Sequence, residues 1–349
     1  MEEKLSDSSQ ILERLEEIKV GRDVPAAEPL VSIIIPAYNI SEFITETLDS
    51  VFAQTFRNFE VIIVNDGSPD TKDLEKVLAP YADRIIYGRQ ENCGASMARN
   101  AAICLSRGEL IAFLDGDDFW FPNCLEKQVK FIEEKKLDMV YCDAELFGNN
   151  FLNGKTYMET TPSNGLVTTV SLIDGSCNVI TSGTMVRRKK LVEVHLFDSG
   201  SARAQDFDLW FRLAKHGAKI DYQRDILIKY RVSPISLSGS NVERAERNVK
   251  ILNFIGNKYD LTSAEEEVLK NQITFSEAEL ELEKGKHNLI NGNYSEARRN
   301  IAKANEYYRK PKLSLLRVLL KISPVLTIKL FKKFRPQEFS FIQPGQAQN

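Results

Sequence analysis

Asp115-Gly116-Asp117-Asp118 packs three carboxylates into four residues. Side chains so arranged repel one another unless a cation sits among them. Their oxygens suit Mg²⁺ or Mn²⁺ better than zinc. A diphosphate would supply the remaining oxygens, and Gly116 would let a nucleotide approach the backbone. A solvated acidic turn is the competing reading. Asp66, within Asn65-Asp66-Gly67-Ser68, reads in two ways. It is an Asx-turn or cap residue, or a carboxylate that accepts a hydrogen bond from a base or ribose. In Asn92-Cys93-Gly94-Ala95-Ser96-Met97-Ala98-Arg99-Asn100 a glycine precedes a helical stretch, with Arg99 about one turn in. Helix N-termini and arginine both favour anions, and an ion pair with a surface carboxylate explains Arg99 equally well. Asp206 precedes Leu209, Trp210 and Leu213, an amphipathic helix face. As a bare feature it is a carboxylate at a helix N-terminus.

These residues need elements to position them. Val31-Ser32-Ile33-Ile34-Ile35 is a buried strand ended by Pro36. Residues 41–54 read as a helix with Ser41 as N-cap. A second buried strand covers 59–64 and stops at the turn residues 65–69. A helix over 73–81, a short strand over 85–87, a helix over 96–106 and a strand over 110–114 follow. Repeated strand–helix–strand units mean an α/β domain with a largely parallel sheet. Ligands of such sheets bind beyond the carboxyl ends of the strands. Pro36-Ala37-Tyr38-Asn39, Asn65-Asp66-Gly67-Ser68 and Asp115-Gly116-Asp117-Asp118 each follow a strand, so parallel strands would gather all three on one edge.

Composition removes other classes. Of 349 residues, 46 are Lys or Arg and 49 Asp or Glu, a net charge of −3. That balance disfavours a whole-surface nucleic-acid binder. The five cysteines, Cys93, Cys104, Cys124, Cys142 and Cys177, are odd in number and show no CxxC spacing. They suggest thiols in a reducing compartment rather than a disulfide framework or zinc site. The three histidines, His195, His216 and His287, are far apart in sequence, which leaves acid–base chemistry to carboxylates. No GxGxxG or GxxxxGK[ST] occurs, removing the main support for dinucleotide and P-loop readings. Neither an N-terminal apolar h-region nor a long apolar run is present, so the expectation is a protein facing the cytoplasm.

Taken together, the clusters resemble the family 2 glycosyltransferases of the GT-A fold. The matching segments are Val31 through Asn39, Ser50-Val51-Phe52-Ala53-Gln54-Thr55-Phe56, Val64-Asn65-Asp66-Gly67-Ser68, Asn92 through Asn100, Phe113 through Trp120, and Gln205-Asp206-Phe207-Asp208-Leu209-Trp210. The resemblance implies a Rossmann-like, mostly parallel sheet flanked by helices and a nucleotide-sugar donor, UDP-linked by default. Tyr38 and Asp66 would contact the base, Asp115 the ribose side, and Arg99 would line the site. Pro36, Asn39, Gly67, Asn92, Gly94 and Gly116 belong to the same nucleotide-sugar-binding motifs. Asp117, with Asp115, would hold Mn²⁺ or Mg²⁺, and Asp206 would be the base of an inverting single displacement onto an acceptor hydroxyl. The chain departs from the usual pattern at Gln205, where an acidic residue commonly stands, and at Ser233-Pro234, where a His often follows Tyr230-Arg231. The rival readings are a sugar nucleotidyltransferase, which lacks a Gly-rich, Lys-containing loop after the first strand, and a non-catalytic nucleotide-sugar-binding or scaffold protein.

The implied organisation is an N-terminal arm at 1–29, a catalytic domain at 30–238, and an all-helical extension at 239–308. A basic amphipathic segment at 309–336 and a disordered tail at 337–349 complete it. Ile11, Leu15 and Ile18 fall at helical spacing, so the arm reads as a weakly amphipathic helix, either mobile or partner-binding. Residues 163–188 are read as part of the acceptor side, with a strand at Met185-Val186. Asn291-Gly292-Asn293-Tyr294-Ser295-Glu296-Ala297 resembles the turn of one tetratricopeptide-like helix pair. Residues 309–336 contain no acidic residue. They suit either ordinary packing, broken at Pro324, or peripheral contact with the inner face of a membrane. A lipid-linked or surface-glycan acceptor would accord with that.

Overall fold

The computed structural model describes residues 9–25, 27–148, 152–198, 200, 205–232 and 241–334. The chain divides into two compact units, Met1–Val232 and Ser233–Asn349. The strands of the first are β1 (Leu15–Val20), β2 (Val31–Ala37), β3 (Phe59–Asp66), β4 (Ile86–Gln90), β5 (Leu110–Phe113), β6 (Phe119–Trp120), β7 (Met139–Phe147), β8 (Thr184–Arg187) and β9 (Ile220–Arg231). They form one sheet in the order β1-β4-β3-β2-β5-β8-β7-β9-β6. The run β4-β3-β2-β5 is parallel throughout. β1, β6 and β8 run antiparallel to their neighbours, and β7 pairs parallel with β9. The sheet is therefore mixed, and the half with the three polar clusters is the parallel half.

β2 and β3 are buried along nearly their whole length, as strands covered on both faces must be. Ile33, Ile35, Val61 and Ile63 point to one face, where they meet Ile44, Leu48 and Val51 of helix α1 (Ile44–Phe52) and Leu74 of α2 (Thr71–Leu78). Helix α3 (Ala95–Leu105) packs on β2 and β3. Helices α4 (Cys124–Glu134) and α5 (Gln205–Lys215) complete the elements that bear on the site. The register pairs Ala37 with Asn65 and Ile34 with Phe113. The ends of β2, β3 and β5 thus lie side by side, as the sequence pattern requires.

Three local expectations are corrected. The N-terminal arm is not helical at Leu15 and Ile18; these residues belong to β1, which pairs with β4 and covers an edge that would otherwise be unpaired. Two or three apolar residues at helical spacing carried too little signal to outweigh that pairing. Ser41 does not cap α1, which begins at Ile44 after Phe43; its backbone N–H donates instead to Asp70. The helix expected over 73–81 is α2 followed by a 3₁₀ turn at Ala79–Arg84, where Pro80 supplies no N–H to continue the α-helical ladder.

The second unit contains α6 (Asn241–Lys258), α7 (Ser263–Ile290), α8 (Tyr294–Tyr308), α9 (Pro311–Ile322) and α10 (Pro324–Phe334). Thr262 and Glu265 form a capping box that starts α7. Gly292, at φ 79°, turns the chain into α8. Leu289, Ala297, Ile301 and Leu320 form its core, with Tyr294, Leu313, Leu316 and Ile328 packed around them. Pro324 opens α10 rather than only ending a helix. The tail expected at 337–349 and the Ser233-Pro234 departure lie outside the described residues. Among the described residues no helix is long and apolar enough to cross a membrane.

Candidate functional site

β3 ends on Asp66, which is buried. Its carboxylate accepts hydrogen bonds from Gln90 Nε2 at 2.7 Å and from the backbone N–H groups of Cys93 at 2.9 Å and Gly94 at 2.8 Å. Bonds to an ionised acceptor are the strong ones, so Asp66 clamps the 92–94 loop at the mouth of α3. A carboxylate offers about four acceptor sites, which leaves capacity for one further donor. Gly67 takes φ 60°, and a Cβ there would stand 2.6 Å from the Asn92 nitrogen. Only glycine meets both conditions without displacing that backbone. Gly94, at φ 88°, is the N-cap of α3. On the neighbouring strand end, Asn39 is left-handed at φ 55° and donates its N–H to Ser68 Oγ at 2.7 Å. Ser41 N–H donates to Asp70 Oδ2 at 2.8 Å. The loops after β2 and β3 are therefore tied into one rim. Tyr38 is exposed at that rim, and Pro36 is held within β2 opposite Val64.

One turn into α3, Arg99 is buried and its guanidinium links two carboxylates. Nη2 lies 2.6 Å from Asp115 Oδ1 and Nη1 lies 3.5 Å from Asp206 Oδ1. Burial opposes the charge on Arg99, but Asp115 and then Asp206 outweigh it and raise its pKa. Asn100 bonds both main-chain groups of Phe197, at 2.8 and 2.9 Å. The Phe197 ring packs edge-on against Phe113 and Trp210 and lies 5.6 Å from the Arg99 guanidinium. This aromatic floor joins α3 to α5, and α5 carries Asp206 in its first turn.

The acidic turn after β5 is held from three sides. Thr47 Oγ1 in α1 lies 2.9 Å from Gly116 O and 2.8 Å from Asp118 O. Asp118 is buried; its carboxylate accepts from Ser182 Oγ at 2.5 Å and from the Arg231 N–H at 2.7 Å. Burial, then the charges of Asp117 and Asp115, pushes its pKa well up. Arg231 Nε donates to Asp117 O at 2.9 Å and Nη2 to Glu46 at 2.6 Å. Its guanidinium lies over the rings of Phe43 and Phe147, 4.7 and 4.5 Å from their centroids. Burial and the nearby Asp115 charge push the Asp117 carboxyl up to about 6.

The structure thus gathers Arg99, Asp115 and Asp206 into one contact group, with Asp117 feeling the Asp115 charge. Asp66 and Gly94 connect to that group through the loop and first turn of α3 rather than directly. Asn92 backs Gly67, and Gly116 approaches Ile40 closely. Sequence reasoning missed Thr47, Ser182 and the contacts of Arg231. Arg231 carried a signal as part of the segment noted at the end of β9, and Ser182 lies within residues 163–188, read as part of the acceptor side; Thr47 carried none for the site. Among the described residues no three His, Cys, Asp or Glu side chains form a ready-made metal cage. A cavity of about 550 Å³ lined by Phe121, Pro122, Asn123, Lys127, Glu145 and Ile226 contains none of the carboxylates of the group.

The profile of "Glycosyl transferase family 2" matches residues 32–196. An uncharacterised glycosyltransferase of Rickettsia bellii is 36% identical over 209 residues, 58% of this chain, which spans only 30% of that protein's length. A UDP-Glc:alpha-D-GlcNAc-diphosphoundecaprenol beta-1,3-glucosyltransferase of Escherichia coli, WfaP, is 31% identical over 238 residues, 66% of this chain and 88% of the relative. Among solved structures, Staphylococcus aureus TarS 1–349 in complex with UDP-GlcNAc aligns at TM-score 0.54 and 18% identity, covering 88% of this chain and 91% of that one. The mannosyltransferase PcManGT of Pyrobaculum calidifontis, in complex with GDP-Man and Mn²⁺, aligns at TM-score 0.55 and 15% identity, covering 97% and 93%. These two likenesses are of fold.

Proposed function

The chain belongs to glycosyl transferase family 2, and from that membership we propose an inverting transferase that moves a sugar from a nucleotide-diphosphate donor, UDP-linked by preference, to a hydroxyl of a lipid-linked glycan acceptor. The observation that carries this reading is the Arg99 bridge between Asp115 and Asp206. It couples the carboxylate turn that faces the donor to the carboxylate in the first turn of α5. In the proposed reaction Asp206 takes the proton of the acceptor hydroxyl as its oxygen attacks the anomeric carbon. The bond from that carbon to the diphosphate breaks, and the configuration inverts. A positioned base contributes about 10² to 10⁴ in rate. Arg99 offsets part of the charge of the two carboxylates, bonding Asp115 closely and Asp206 loosely. Tyr38, Asp66 and the Asn92–Gly94 loop form the side that would receive the base.

Asp115 and Asp117 fit a hard divalent cation. Both present oxygen ligands, and the Asp117 carboxyl, raised first by burial and then by the Asp115 charge, is a group whose ionised form a cation would favour. Mg²⁺-like ions bind through one or two carboxylates together with substrate phosphates, which suits a site without a complete protein cage. When bound, Mn²⁺ or Mg²⁺ would neutralise charge growing on the leaving diphosphate. UDP-glucose and a diphosphoundecaprenol-linked acceptor are the substrates of the E. coli relative, which supports this choice of donor and acceptor.

The test is thermal-shift titration with nucleoside diphosphates and their sugars, with and without Mn²⁺, followed by product analysis. A true ligand raises the melting temperature, and transfer releases a nucleoside diphosphate. Pyrophosphate as the product would assign a nucleotidyltransferase, and no shift with any nucleotide would point to a scaffold.

A further inference from the structure

Helices α9 and α10 have two apolar faces where the fold needs one. On the inner face Leu313, Leu316, Leu320 and Ile328 join the core formed with Leu289, Ala297 and Ile301. On the outer face Leu315, Val318, Ile322, Val325 and Leu326 stand in solvent, Ile322 at 74% exposure. Leu315, Val318 and Ile322 are spaced by three and four residues and form one stripe. Val325 and Leu326 follow directly after the Ser323-Pro324 junction. Scattered exposed aliphatic residues need no explanation, but a grouped set marks a contact surface.

Charge identifies the partner. Residues 309–334 contain no Asp or Glu, and Lys310, Lys312, Arg317, Lys321, Lys329 and Lys333 are all exposed. On the α9 helical wheel, Lys312 and Lys321 flank the apolar stripe on opposite sides, at about 100° per residue. An aliphatic stripe bordered by cations matches a surface with hydrocarbon below and phosphate above. A second copy of this chain would bring like charges together. α9 has 12 residues, about 18 Å at 1.5 Å per residue, too short to span a bilayer and suited to lying in its plane.

We propose that α9 and α10 form an in-plane docking surface for an anionic lipid bilayer. The proposal rests on this surface alone, independently of the transfer reaction. The full chain is sedimented with vesicles of phosphatidylcholine and with vesicles that also contain phosphatidylglycerol. It should pellet with the anionic vesicles, and added salt should weaken the binding. Val318→Asp with Ile322→Asp, both on the solvent side and outside the candidate site, should abolish pelleting while leaving the melting temperature unchanged. Lys312→Gln with Lys321→Gln should lower the partition about 25-fold, fivefold for each basic residue lost. Undiminished pelleting of the double aspartate variant, or no preference for anionic vesicles, overturns the proposal. So does concentration-dependent dimerisation in the absence of lipid that the aspartates abolish, since a second copy would then be the occupant.

Discussion

Arg99 offers a quantitative test because its two carboxylates differ in distance and exposure. The bond to Asp115 is 2.6 Å, between a buried guanidinium and a carboxylate about one-third exposed. Charge-assisted bonds of this kind contribute about 1.5–3 kcal/mol. The contact with Asp206 is 3.5 Å, and that carboxylate is 42% exposed, so screening holds its worth below about 1 kcal/mol. Arg99 Nε is buried and, among the described residues, has no hydrogen-bond partner. Leaving such a donor unsatisfied costs about 1–3 kcal/mol, which Arg99→Met recovers. The single substitution should therefore change stability little, while the coupling energies stay large and unequal. Double-mutant cycles of Arg99→Met with Asp115→Asn and with Asp206→Asn isolate them. The chain has two tryptophans, Trp120 and Trp210, and both lie in the first unit. Tryptophan fluorescence in urea consequently follows that unit without interference from the helical one. Coupling should be about 1.5–3 kcal/mol for Asp115 and below about 1 kcal/mol for Asp206. Equal couplings, or a larger one for Asp206, would refute the reasoning.

Other perturbations separate the parts of the site. Asp206→Asn should lower kcat about 10² to 10⁴-fold and leave the nucleotide Kd within a few-fold of wild type, as read by calorimetry; an equal loss of binding counts against a base. Gly67→Ala forces a side chain into a left-handed residue with Asn92 N at 2.6 Å. It should destabilise the first unit by at least about 1–2 kcal/mol and weaken nucleotide binding through the 92–94 loop, so an unchanged urea midpoint would count against the packing described. Arg231→Leu removes the Nε bond to Asp117 O and the Glu46 pair. Loss of about 1–2 kcal/mol of positioning should raise the donor KM about tenfold more in Mn²⁺ than in its absence, and a metal-independent change would show that Arg231 does not act through the acidic turn.

What could be read from the sequence follows from which interactions are local. β2, β3 and β5 were legible because each is built on an apolar run bounded by turn or polar residues, although β2 continues through Pro36 to Ala37 and β3 through Asn65 to Asp66. Their adjacency followed once the strands were taken as parallel. β1 was not legible, because its pairing with β4 joins residues about seventy positions apart, and its own pattern of charged and apolar residues suits either structure. Ser41 looked like a cap by type, but its N–H had a partner in Asp70, a contact between loops that no window across the first helix contains.

The same distinction explains why individual carboxylates were ambiguous when read one at a time. Asp66, as a turn residue, had two readings, and its observed partners are Gln90, Cys93 and Gly94. Those contacts place Gly94 at the start of α3, which then delivers Arg99 one turn later to Asp115 and Asp206. Four chain segments, from 66 to 206, are connected by hydrogen bonds to charged groups, each fixing the residue that makes the next. A local reading meets these links separately and sees a turn, a cap, an ion pair and a helix terminus. Their order along a parallel sheet makes them one arrangement, because strands ending on a common edge leave the loops no other surface to occupy. Arg99 of α3 is the residue that contacts both the acidic turn, at Asp115, and Asp206. Substitutions along Gly94–Arg99 should accordingly disturb turnover as strongly as substitutions at the carboxylates they position.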